Sequence, residues 1–282
     1  MVKPAAPTLA LLGNIGRPEH PKTYHFLNYC SKNWDSVLWI PGPHDLTNTK
    51  EGRATYKEKL LTMHALAKQV SRVTIMDNKE CVFHNNRVVL LGTPLWTHLT
   101  LPPKGQPEFE RIFTSVDESG SIPLCYHVRN HWHKEDTLFL KERSLFWTIV
   151  NPGVQLVYLT HTLPSSLLLK APVGEAQWAR LRMDMMHPPI AAPLRAWLGG
   201  ATGSTHTARI GTFREDQVQC GVNSLHEYPF TSPTQKNDYD PMCVLELEDK
   251  APPGISPLYL PHLVLPPLLS SLLKPKVSLA YA

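Results

Sequence analysis

A strand-length apolar run, Val37 to Ile40, stops at Pro41-Gly42-Pro43 and is followed at once by His44 and Asp45. A turn of this kind ends an extended segment and sets polar side chains just beyond it, where reactive groups are often placed. Upstream, Leu9 to Leu12 is a second apolar run, stopping at Gly13-Asn14-Ile15-Gly16. Residues 9 to 48 therefore read as strand, helix, strand and turn, and that alternation argues for an α/β core.

Further along, Tyr56, Leu60, Met63, Leu66, Ala67 and Val70 recur near helical spacing and predict an amphipathic helix over residues 52 to 70. Val73 to Met76, Cys81 to Phe83 and Val88 to Leu91 predict three short strands, the last two joined through His84-Asn85-Asn86-Arg87. The stretch from Leu101 to Ile122 reads as a turn-rich excursion over a site rim. Thr137 to Val150 reads as a helix with Asp136 as its N-cap and Asn151-Pro152-Gly153 as its stop. Gln155 to Thr160 is a buried strand by its apolar run, and Glu175 to Met186 suggests another helix. From Thr231 onward proline and polar residues dominate, which divides the chain into a domain over 1–230 and a proline-rich extension over 231–282.

With 42% hydrophobic and 18% charged residues the 282-residue chain has the composition of a globular protein with a large core. The net charge of +4 comes without any run of five basic residues, so no nucleic-acid arm is visible. Cys30, Cys81, Cys125, Cys220 and Cys243 are odd in number and never form C-x-x-C, a pattern of reduced thiols in a cytoplasmic compartment. Ala5 to Leu12 is interrupted by Pro7 and reads as a first strand in preference to a signal peptide. Ile255 to Leu273 is apolar, but Pro257, Pro261, Pro266 and Pro267 would break a membrane helix.

The two strand-and-turn segments resemble those of the calcineurin-like metallophosphoesterases, where one strand ends in Gly-Asp and the next in Gly-Asn-His-Asp/Glu. Three later landmarks are similar in the same order. Gly92-Thr93-Pro94-Leu95-Trp96 resembles the family's Leu-Gly-x-x-Leu-Trp strand, and Thr160-His161-Thr162-Leu163-Pro164-Ser165 its Thr-His-His-x-Pro-Ser turn. Trp197-Leu198-Gly199-Gly200-Ala201-Thr202-Gly203-Ser204-Thr205-His206 stands where the family has Trp-x-x-Gly-His-Thr-His, with Val222-Asn223 and Tyr228-Pro229 after it. The resemblance implies a four-layer α/β/β/α sandwich with mixed sheets, here without the family's first edge strand. It also implies a metal-dependent phosphoric ester hydrolase using divalent Mn, Fe or Zn.

The ligands that this chemistry needs are altered. Two dications about 3.5–4 Å apart need a bridging carboxylate to offset their repulsion. The matching residue is Asn14, and Pro43 replaces the family's asparagine ligand. The opening Asp-x-His motif has no counterpart among the thirteen residues before Asn14, unless the chain starts earlier. In the last motif one alignment replaces both histidines with Ala201 and Gly203, and another keeps His206. By resemblance His44 is a leaving-group histidine, vestigial or still assisting, and Asn14, His161 and His206 are a vestigial metal set.

Other clusters have plainer explanations. His127, His131 and His133 suit a polar loop or helix surface, with no cysteine or glutamate completing a metal set. Gly199 to Gly203 lacks the lysine of a phosphate loop, and Ser165 lacks an acid partner. The leading expectation is a pseudoenzyme kept for binding or assembly, with no cofactor and with a protein partner contacted through the proline-rich tail. The alternatives are an active metal-dependent phosphoesterase whose site is incomplete or completed in trans, and a non-catalytic phosphate or nucleotide binder.

Overall fold

The computed structural model describes residues 3–46, 54–83, 87–96, 98–99, 104, 126–162, 181–182, 194–200, 209–213, 218–222, 244–247 and 277–281. β1 (Thr8–Leu11), α1 (Pro21–Asn33), β2 (Ser36–Trp39), α2 (Tyr56–Val70) and β3 (Val73–Ile75) form two successive crossovers, with β1, β2 and β3 all parallel. α1 starts where Pro21 presets the helical φ and His20 Nδ1 accepts the Lys22 N–H. It buries Thr23, Leu27, Cys30 and Ser31, a stripe at helical spacing. α2 starts at a capping box, in which Thr55 accepts the Glu58 N–H and Glu58 accepts the Thr55 N–H.

β4 (Lys79–Phe83) and β5 (Val88–Thr93) make the expected antiparallel hairpin. β6 (His98–Leu99) pairs with β8 (Leu181–Arg182). The helix read over 175–186 lies outside the described residues except for those two of β8, which are strand. α3 spans Tyr126–Val150, so the helix does not begin at Asp136. Asp136 is 3% exposed in mid-helix, and its carboxylate accepts the Trp96 N–H and an Asn78 amide N–H, both at 3.1 Å. The ten residues before it stay helical because they too have somewhere to pack. The Trp132 ring lies 4.5 Å from that of Tyr56 and 5.3 Å from that of Trp96.

β7 (Gln155–Thr160), β9 (Leu194–Gly199), β10 (Arg209–Phe213) and β11 (Val218–Val222) complete a six-stranded sheet in the order β10-β11-β9-β7-β5-β4. Its four inner strands are parallel and both edge pairings antiparallel. The first sheet has five strands in the order β12-β13-β1-β2-β3, with β12 (Val244–Leu247) and β13 (Val277–Tyr281) as its last two. Both lie beyond residue 231, in the stretch read as a proline-rich extension. β13 pairs in parallel with β1, so β1 has neighbours on both sides.

Alternation along the strands decides the layers. Ala10, Leu12, Leu38, Ile40, Leu90, Val157, Leu159 and Leu198 face inward between the two sheets. Leu9, Leu11, Val37 and Trp39 face the other way, toward α1 and α2. Val89, Leu91, Leu156 and Tyr158 face Leu140 and Trp147 of α3. This is the α/β/β/α sandwich with mixed sheets that the resemblance implied. No helix of the described residues is long and apolar enough to cross a membrane.

Candidate functional site at the strand ends

In parallel sheets the carboxyl ends of the strands carry the loops on which sites are built. Here four such ends, those of β1, β2, β7 and β9, meet without room for a side chain between them. A Cβ on Gly200 would stand 2.1 Å from the Leu12 carbonyl oxygen, and one on Gly42 2.5 Å from the Asn14 nitrogen. A Cβ on Gly13, whose φ is +90°, would stand 2.3 Å from His161 Nδ1. Asn14 follows at φ 58°, in the left-handed region that asparagine tolerates better than most residues.

Asp45 organises the two turns of the first sheet. It is fully buried, and one carboxylate oxygen accepts the N–H groups of Asn14 at 3.0 Å and Gly42 at 2.9 Å and the Trp39 indole N–H at 3.3 Å. The other oxygen accepts the Gly16 N–H at 2.7 Å. Burial pushes the Asp45 carboxyl up to about 6 while these donors pull it back. The sequence reading gave Asp45 no role as a ligand, and this network gives it a structural one.

The resemblance grouped Asn14, His44, His161 and His206. The structure brings the first three together, and His206 lies outside the described residues, as do Ala201, Gly203 and Ser165. Asn14 Oδ1 accepts the His44 backbone N–H at 3.1 Å, while the His44 side chain is exposed. His161 is 6% exposed with Nδ1 2.9 Å from the Leu12 carbonyl oxygen. A carbonyl can only accept, so Nδ1 carries the proton and Nε2 keeps the lone pair. Burial pushes His161 down to about 4, and the nearby His44 and Arg129 push the same way. Arg129 is thus a cation of this site that the sequence reading left on a polar surface.

His161 has the form of a metal ligand, since its second nitrogen is fixed by a backbone carbonyl. The rest of the donor set does not fit two adjacent dications. Asn14 is neutral, Pro43 has no donor, and the Asp45 carboxylate is spent on four N–H groups. Among the described residues no three His, Cys, Asp or Glu side chains are grouped to hold a metal. The three helical histidines do not converge either. His133 Nδ1 meets the Trp96 carbonyl at 2.5 Å, whereas His131 lies 3.3 Å from Glu135 at the surface.

No family model matches the chain. It is 18% identical over 254 residues to Uncharacterized protein L509 of Acanthamoeba polyphaga mimivirus, covering 85% of this chain and 84% of that one. Among solved structures it is similar to the phosphopantetheinyl hydrolase PptH of Mycobacterium tuberculosis. That match has a TM-score of 0.56 and 17% identity, over 79% of this chain and 81% of that one. At such identity the likeness speaks for the architecture. The chain has a phosphoesterase-like α/β sandwich fold.

Proposed function

We propose that this chain is a degenerate calcineurin-like phosphoesterase fold, a pseudoenzyme retained for binding or assembly. One relationship carries the reading. Where the two-metal chemistry needs a bridging carboxylate stands Asn14, and the Asp45 carboxylate beside it is turned inward to hold Asn14, Gly16 and Gly42. Rotating Asp45 toward the site would strand four buried or half-buried donors. On the same footing we propose a protein partner for the proline-rich segment between β12 and β13. A reducing, cytoplasmic compartment fits the free thiols Cys30, Cys81 and Cys220.

The test is elemental analysis of the purified full-length protein, followed by assay of bis(p-nitrophenyl) phosphate with Mn²⁺ added. The expected result is well under one equivalent of Mn, Fe or Zn and no hydrolysis. Two equivalents of tightly held metal with turnover would establish the active phosphoesterase instead.

A further inference from the structure

α3 presents two apolar faces where a helix lying on a sheet needs one. Its inner stripe, with Leu140 and Trp147, packs on Val89, Leu91, Leu156 and Tyr158 of the six-stranded sheet. The opposite side of such a helix is ordinarily polar. Over the first half of α3 it is, with His127, His131, Lys134 and Glu135 exposed there. Over the second half it is not, because Leu138, Leu145, Phe146, Ile149 and Val150 are each 40–70% exposed. Only three other large apolar side chains among the described residues stand out in this way, Tyr24, Leu61 and Val82. Val82 of β4 belongs with the α3 group. It alternates in step with Glu80, whose carboxylate holds Arg143 and the Trp147 indole, so it points into the α3 layer.

The spacing is that of a seam. Leu138, Glu142, Leu145 and Ile149 follow one another at intervals of four, three and four, the pattern by which one helix packs along another. The patch offers about 500 Å² of apolar side chain, near the upper end of what a monomer carries in one place. Two such patches brought together bury about 1,000 Å², enough for a weak specific dimer and too little for an obligate one. The seam also fits itself. In an antiparallel pair whose two-fold axis passes between Arg143 and Ser144, Leu138 of one copy falls opposite Ile149 of the other, and Leu145 opposite the stem of Glu142. Arg143 does not stand in the way, since Glu80 holds its guanidinium at 2.8 Å and keeps it 4.3 Å from the centre of the Phe146 ring.

We propose that this face of α3 is a homodimer interface, in which α3 packs antiparallel on α3 of a second copy across a two-fold axis. Glu142 is the one charge in the seam, and the axis sets it near its own counterpart, so repulsion between the two holds the affinity down. A partner of another sequence has no such requirement, which makes Glu142 the residue that tells a second copy from any other occupant. The patch lies away from Arg129 along α3, and the pairing does not depend on whether the strand-end site hydrolyses anything.

The experiment is sedimentation velocity of the full-length protein from low micromolar to several hundred micromolar concentration. A reversible equilibrium between monomer and dimer is expected. The Leu145→Glu, Ile149→Glu double variant should weaken it by roughly tenfold or more, since two apolar side chains in each copy give way to charges, with the circular dichroism of the wild type retained. Leu61→Glu, at an equally exposed apolar position on α2, should leave it unchanged. Glu142→Gln should tighten it several-fold. A monomer throughout the range overturns the assignment, as does a dimer indifferent to the double variant or weakened equally by Leu61→Glu. A monomer whose thermal midpoint falls in the double variant also overturns it, by showing that the chain covers this face itself. Should the double variant lose helix, Glu142→Gln decides alone, and a dimer that it leaves unchanged removes the two-fold pairing.

Discussion

The Asn14 backbone N–H meets the Asp45 carboxylate at 3.0 Å, joining the turn after β1 to the turn after β2 across 31 positions of sequence. Together with the return bond from the His44 N–H to Asn14 Oδ1, it makes the two turns one unit. Asn14, at the position where the resemblance places a bridging carboxylate, is here held by the turn after β2 and holds it in return.

Asp45→Asn should therefore be a stability variant. The amide oxygen can still accept, but the amide nitrogen sets donors against donors in a site with no exposure. A loss of about 2–4 kcal/mol is expected from urea unfolding midpoints, on the scale of one or two buried donors left unsatisfied. A change below about 0.5 kcal/mol, the level of ordinary surface substitutions, would contradict the role given to Asp45.

The strand ends should be intolerant of one added carbon. In Gly200→Ala the Cβ falls on the Leu12 carbonyl oxygen, and in Gly13→Ala it falls on the His161 ring at a positive φ. Each is expected to lower the thermal midpoint by several degrees, as about 2 kcal/mol does in a chain of this size. Gly153→Ala is the control, because its Cβ would meet only Asn151 Oδ1 at 3.6 Å. A midpoint for Gly200→Ala equal to that of the control would show that the ends of β1 and β9 are not so close.

Asp136 makes stability depend on pH. Burial pushes its carboxyl up to about 7 against donors from Trp96 and Asn78, so the folded state holds a proton that the unfolded chain releases near its ordinary value. The stabilisation is complete below about pH 4 and is lost as pH rises toward 7. Asp136→Asn keeps an acceptor for the Trp96 N–H and cannot ionise. Chemical unfolding between pH 4.5 and 7.5 should show the wild type losing up to a few kcal/mol relative to this variant as pH rises. His161, pushed down to about 4, works in the opposite sense over part of this range in both proteins and cancels in the comparison.

Restoring donors should restore affinity for metal in proportion to what was missing. Asn14→Asp supplies the carboxylate and, at the same left-handed φ, is tolerated about as well as asparagine. Asn14→Asp with Pro43→Asn is expected to bind Mn²⁺ more tightly than the wild type by competition with a fluorescent chelator. Equal affinity of both proteins would mean that Asn14 and Pro43 do not limit metal binding here.

The sequence by itself determined the local pieces: β1 and β2 with their glycine turns, the amphipathic helix that ends at Val70, the β4–β5 hairpin and the strand ending at His161. These are set by alternation, turn chemistry and caps, all of which act over a few residues. It also placed Asn14, His44 and His161 at one site, through the likeness of successive turns. The tertiary structure decided what the carboxylates do. Asp136 before a helical run reads locally as a cap, yet its acceptors serve Trp96 and Asn78, 40 and 58 positions away. Asp45 reads as a polar residue just beyond a Pro-Gly turn, yet its donors come from a strand end 29 to 31 positions earlier as well as from its own turn. The same holds for β13 beside β1, for Arg129 beside His161 and for the pairing of Glu19 with Lys59. Whether a charged group acts on a ligand or on its own fold depends on which partners surround it, and distance through space is not written in the spacing along the chain.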